Sequence, residues 1–128
     1  MIVLDASVLI AYLDARDQHH GAAEQLLLRS ADDEFGANAL TLAEVLVGPL
    51  RAGHLDVARA ALDELEVREL AFPVDTAVPL ARLRAMTSLR MPDCCVLLAA
   101  EGNDARVASV DARLVRAAEQ HGLQVLRA

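Results

Sequence analysis

The chain alternates short apolar runs with longer stretches whose apolar residues recur every three or four positions. Met1 to Leu4 is unbroken and apolar, the pattern of a short strand buried on both faces. Beyond Asp5, apolar residues resume with Val8, Leu9, Ile10, Tyr12 and Leu13, which predicts a helix over 6–13. Ala23, Leu26 and Leu27 give a helical stripe within 20–29. Leu42, Val45, Leu46 and Leu50 give a stronger one within 41–51, broken by Gly53. Further helices are expected over 55–66, over 76–89 with Pro79 tolerable only in the first turn, and over 112–121. The stretch 93–101 is apolar nearly all round and predicts a buried helix. Strands are expected at 1–5, 34–38 (weakly), 67–71, 106–110 and 123–126. Strands alternating with helices imply an α/β fold, a central and mostly parallel sheet of four to five strands covered on both faces. A length of 128 residues suits one domain over 1–128.

Composition narrows the class. Hydrophobic residues are 55% of the chain and aromatic ones 2%, so the core must be aliphatic. No apolar run approaches the roughly 20 residues of a membrane span, and no basic segment precedes an apolar one as in a secretory signal. Cys94 and Cys95 are adjacent, an awkward geometry for a disulfide, and read as small buried residues of a cytoplasmic protein. The net charge of −7 argues against a protein that coats DNA, without excluding nucleic acid as a substrate. All 12 basic residues are arginine, the better residue for gripping phosphate. GC-rich coding explains the missing lysine more simply than selection for phosphate binding does.

Four acids stand out by position. Asp5 ends the first strand, Glu44 lies in the first turns of the helix after the second, Asp93 opens the buried helix, and Asp111 ends the fourth strand. In a doubly wound sheet these places share one edge, where ligands gather. Taken singly, each acid is more simply a helix cap, and Thr41-Leu-Ala-Glu44 matches a capping box. Taken together, capping falls short, because Ser, Thr or Asn would serve as well. Like charges about 5 Å apart repel by about 3 kcal/mol at an effective dielectric near 20. A hard divalent cation such as Mg²⁺ removes that cost, taking oxygen ligands and, characteristically, substrate phosphate. The nearby helix N-termini are expected to help keep the acids ionised. An acid-only site without His or Cys suggests phosphodiester chemistry.

With these residues in view, the chain resembles the PIN-domain nucleases, specifically the small VapC-type toxins of bacterial toxin–antitoxin pairs. The resemblance rests on "MIVLDASVLIAYLD", "LTLAEVLVG", "MPDCCVLLAA" and "VASVDARL" and covers essentially the whole chain. It implies a PIN-like three-layer α/β/α fold. It also implies that Asp5, Glu44, Asp93 and Asp111 form a catalytic, metal-binding quartet for Mg²⁺, with Mn²⁺ as a substitute. Ser7 and Ser109 match the family's small hydroxyl residues and would orient carboxylates or a metal-bound water. The implied activity is endoribonuclease cleavage of structured RNA, commonly tRNA or rRNA. The implied partners are a second copy of the chain, in a homodimer, and a cognate antitoxin that faces residues 20–66 and sets a basic side chain against the acids. Some relatives carry a further acid shortly after the third, where this chain has Cys94 and Cys95.

Other signals are weaker. His19, His20, His54 and His121 read as solvated residues at helix ends, His121-Gly122 as a helix C-terminus. Arg82, Arg84, Arg90, Arg113 and Arg116 are candidates for RNA phosphates, but a solvated helix face explains them equally well. Asp14, Asp17, Asp32, Asp33, Asp75 and Asp104 read as loop or cap residues, Asp104 at the wrong end of its strand for the site. Two phosphoacceptor classes also place acids at strand ends. A receiver domain needs a lysine near the last strand, and the chain has none. An aspartyl-phosphate hydrolase needs that lysine and a second acid where Ser7 stands. A non-catalytic PIN-like binding module is the remaining alternative.

Overall fold

The computed structural model describes residues 1–128. In chain order the elements are β1 (Ile2–Leu4), α1 (Ala6–Leu13), α2 (His20–Arg29), β2 (Phe35–Asn38), α3 (Ala39–Arg51), α4 (Leu55–Glu64), β3 (Arg68–Leu70), α5 (Ala77–Met86), α6 (Met91–Gly102), β4 (Arg106–Ser109), α7 (Ala112–Gln120) and β5 (Val125–Arg127). The five strands form one sheet in the order β3-β2-β1-β4-β5. Every pairing is parallel, so the sheet is wholly rather than mostly parallel.

The central strands are covered on both faces. Ile2 and Leu4 of β1 and Ala108 of β4 point into a core shared with α1, α2, α3 and α4, where Leu9, Leu26, Val45 and Leu62 pack. Val3 and Val107, one position out of phase, point into a second core with Leu83, Val96, Leu97 and Leu114 from α5, α6 and α7. The alternation of strand side chains thus divides the apolar residues between two helical layers. Gly36 in β2 allows a close approach: a Cβ there would lie 2.8 Å from Leu70 Cδ1 on the paired strand β3.

Several expected boundaries shift. Helix α5 stops at Met86 rather than reaching residue 89, because Thr87 is extended and its hydroxyl bonds the Leu83 carbonyl at 2.7 Å. Helix α6 starts at Met91, with Arg90 as its N-cap and Pro92 in its first turn, where a missing N–H costs nothing. Asp93 is therefore the third helical residue rather than the first. The capping box at Thr41 does not form. Helix α3 starts earlier, and Asn38 caps it by accepting from the Thr41 N–H at 2.9 Å. Leu50, expected on the buried stripe of that helix, is 61% exposed; it is the penultimate helical residue, just past Pro49. No helix is long and apolar enough to cross a membrane.

Candidate active site

Strands β2 and β3 lie on one side of β1, and β4 and β5 on the other. The order reverses between β1 and β4, and a crevice at the carboxyl ends of the strands there is the ligand site of such sheets. Asp5 follows β1 and Asp111 closely follows β4, so these two acids flank the switch point. Helix α3, which leaves the carboxyl end of β2, carries Glu44, and α6 carries Asp93 in its first turn.

Asp5 is almost wholly buried, at 6% exposure, yet its side chain caps no helix. Two hydroxyls donate to the same carboxylate oxygen, Oδ2: Ser7 Oγ at 2.6 Å and Ser109 Oγ at 2.9 Å. The serines are fixed in turn by backbone amides, since Val110 N–H donates to Ser7 Oγ at 3.1 Å and Asp111 N–H to Ser109 Oγ at 3.0 Å. Charge-assisted hydrogen bonds of this kind offset much of the cost of burying a carboxylate. Both serines thus hold the Asp5 carboxylate, and they stitch the ends of β1 and β4 together. Asp111 does cap: its Oδ1 accepts from the Arg113 N–H at 2.9 Å.

Glu44 and Asp93 feel the others electrostatically. Burial pushes the Glu44 carboxyl above its ordinary range, and the Asp5 and Asp93 charges push the same way against the Arg90 guanidinium. Burial likewise raises Asp93, aided by Asp5 and Asp111 and opposed by Arg90 and Arg113. All four acids therefore share one edge and one electrostatic neighbourhood. They do not form a closed cage: nowhere do three or more His, Cys, Asp or Glu side chains converge in metal-ligating geometry. The donor chemistry still fits a hard cation, since the groups at this edge are carboxylate oxygens. Cys95 lies near enough to feel Glu44, but burial, then Cys94, then Glu44 push its thiol up, so it stays protonated near neutral pH.

Three features escaped the sequence reading. Asn38 is the true cap of α3, signalled only by an Asn between a strand and an apolar helix. His20 is not simply solvated, because its Nδ1 lies 2.8 Å from the Ala11 carbonyl oxygen and ties α2 to α1. Arg90 is a counter-charge to the acids, an effect that depends on where α5 ends.

A search among curated proteins finds no match. Solved structures resemble the fold closely. VapC20 of Mycobacterium tuberculosis, described as a sarcin-ricin loop cleaving toxin, superposes with a TM-score of 0.74 at 18% identity, over 91% of this chain and 95% of that one. VapBC2 of Rickettsia felis, bound to a DNA fragment from its promoter, gives 0.75 at 14% identity over 99% and 98%. A toxin–antitoxin complex from Klebsiella pneumoniae gives 0.71 at 22% identity over 87% of each. The sequence matches the PIN domain family over residues 2–120, nearly its whole length, and the chain belongs to that family.

Proposed function

We propose that this protein is a metal-dependent endoribonuclease and the toxin of a toxin–antitoxin pair, hydrolysing phosphodiester bonds in structured RNA such as tRNA or rRNA. The observation that carries the reading is the set of four carboxylates at the carboxyl edge of the sheet, two of them with pKa values raised partly by mutual repulsion. Acids that repel one another at a ligand-binding edge, and whose arginine neighbours offset that repulsion only in part, favour binding of a cation. PIN domains are generally nucleases, and the structurally similar VapC20 is a sarcin-ricin loop cleaving toxin.

In this reading Asp5, Glu44, Asp93 and Asp111 hold Mg²⁺ or Mn²⁺. A cation held there would supply charge neutralisation at the phosphate, a more acidic water and stabilisation of the leaving oxygen. Ser7 and Ser109 hold Asp5 by one oxygen and leave Oδ1 for another partner. The Arg113 amide holds Asp111 by Oδ1 in the same way.

The reading includes a cytoplasmic homodimer held inactive by an antitoxin. A groove of about 670 Å³ between α1, α3 and α4 supports the antitoxin part, because Ile10, Val45 and Val57 line it and Glu44 stands on its rim. A basic side chain arriving along that groove would meet the acids. The matches to toxin–antitoxin complexes favour the same partner class.

A second reading, a non-catalytic PIN-like binding module, draws support from the open arrangement of the acids. Induced expression of wild type and Asp5→Asn separates the two. The nuclease arrests growth and cuts RNA only as wild type; equal effects from both proteins refute it.

A further inference from the structure

Beside the acids lies a basic groove. It is a cleft of about 420 Å³ between α7 and the segment joining α5 to α6, lined by Ser88, Leu89, Arg113, Arg116, Gln120 and His121. Arg113, Arg116 and Gln120 are spaced by three and four residues along α7, so they share one face, and all three are exposed. The Arg113 Nη2 donates to the Ser88 carbonyl at 3.4 Å and holds its guanidinium across the cleft. Arg90, the N-cap of α6, continues the lining segment toward the site.

None of these arginines is in a salt bridge. The salt bridges of the protein use Arg16, Arg106 and Arg127 instead. Arg90 caps the helix that carries Asp93 in its first turn, and Arg113 follows Asp111, whose Oδ1 accepts from its N–H at 2.9 Å, so the positive groove begins at the acids and runs away from them along α7. A chain with a net charge of −7 repels a polyanion at long range, so phosphate binding must depend on such local positive surface.

On the footing of the nuclease reading above, we infer that Arg90, Arg113 and Arg116 form the track for the RNA phosphates flanking the scissile bond. Arg90 and Arg113 serve the phosphates nearest the acids, and Arg116 serves one further along the cleft. Such contacts position the strand without reading its bases, so they weaken all sequences alike when removed.

The test is equilibrium binding of fluorescein-labelled RNA hairpins of two sequences to the non-cleaving Asp5→Asn protein across a salt series. Each lost phosphate contact removes roughly 0.7 from the slope of log K against log[salt], or about fivefold in affinity per decade of salt. Arg116→Ala should show this loss for both hairpins, Arg113→Ala plus Arg116→Ala about twice as much, and Arg116→Lys little. Arg59→Ala, on exposed α4, should change nothing. The Arg116 side chain makes no hydrogen bond or salt bridge within the fold, so Arg116→Ala breaks none. If wild type cleaves RNA but the Arg113 and Arg116 variants keep the parent slope and affinity, the track is refuted and the nuclease reading stands. If wild type cleaves no RNA and the Asp5→Asn parent binds none, both fall.

Discussion

Removing the hydroxyl of Ser109 tests whether the two serines hold Asp5 in place. Ser109 is 1% exposed and Asp5 6%, so water cannot take over the lost bond. A buried hydrogen bond to a charged group contributes about 1.5–3 kcal/mol. Ser109→Ala removes that bond and leaves the Asp111 N–H without its acceptor, for a total cost of about 2–4.5 kcal/mol. The share due to Asp5 is isolated by a double-mutant cycle with Asp5→Ala, in which the Asp111 amide contribution cancels. The expected coupling is about 2 kcal/mol. With a urea m-value near 2 kcal/mol/M, that corresponds to a midpoint difference of about 1 M. Ser7→Ala should give a smaller coupling despite its 2.6 Å contact, because Ser7 is only half-buried and water replaces part of the bond. The assay is urea unfolding near neutral pH with EDTA present, so that no cation contributes. A coupling below about 0.5 kcal/mol for Asp5 and Ser109 refutes the assignment, since it is less than an ordinary neutral hydrogen bond contributes.

Glu44 and Asp93 make the metal-free stability depend on pH. Their folded pKa values are raised above the ordinary 4.5 and 3.8, so ionisation penalises the folded state fully at neutral pH and the penalty disappears as pH falls through the raised values. Glu44→Gln should therefore be more stable than wild type near pH 7.5 in EDTA, with the advantage vanishing below about pH 4; an advantage that grows in acid contradicts the shift. Millimolar Mn²⁺ should raise the melting temperature of wild type and not that of Asp93→Asn, and equal shifts in calorimetry count against the quartet as the metal site. Gly36→Ala drives a methyl to within 2.8 Å of Leu70 and should cost about 1–3 kcal/mol by overpacking; adding Leu70→Ala to it should cost less than Leu70→Ala does in wild type. Leu97→Ala empties a fully buried position in the second core and should cost about 2–5 kcal/mol in urea unfolding.

The twelve elements were legible because two periodicities, two for strands and near 3.6 for helices, follow from backbone geometry alone. Met1–Leu4 read as a doubly buried strand, and its residues do divide between two cores. Boundaries were less legible, because capping is decided by competition between neighbours. Thr41 looked like a cap, but Asn38 stands three residues earlier and closes the helix first. Asp93 looked like the start of its helix, but Pro92 favours the first turn and leaves Arg90 as the cap. The gathering of acids at one edge was legible from topology. The counter-charges were not, since Arg90 read equally well as a solvated side chain and its effect on Glu44 and Asp93 follows from the tertiary fold.

The hydrogen bonds at this edge divide the four acids into two kinds. Asp5 and Asp111 are fixed, the first by two serine hydroxyls and the second by a backbone amide. No comparable bond falls on Glu44 or Asp93, and these two carry the raised pKa values. The division follows from position. Asp5 and Asp111 follow strands of a rigid sheet, whereas Glu44 and Asp93 project from helices that pack against it. A site built this way has a fixed half that sets where charge is received and an adjustable half that responds to it. The charges of Glu44 and Asp93 repel those of the other acids, offset in part by Arg90 and Arg113, and the four acids stand in mutual electrostatic reach without a closed cage. Any cation that neutralises the cluster, whether a divalent metal or an arginine side chain, lowers the energy of drawing Glu44 and Asp93 inward. Metal and antitoxin would then compete for one closed arrangement, and saturating Mn²⁺ should weaken binding of an antitoxin peptide whose arginine enters the site, while leaving a peptide with alanine in its place unaffected.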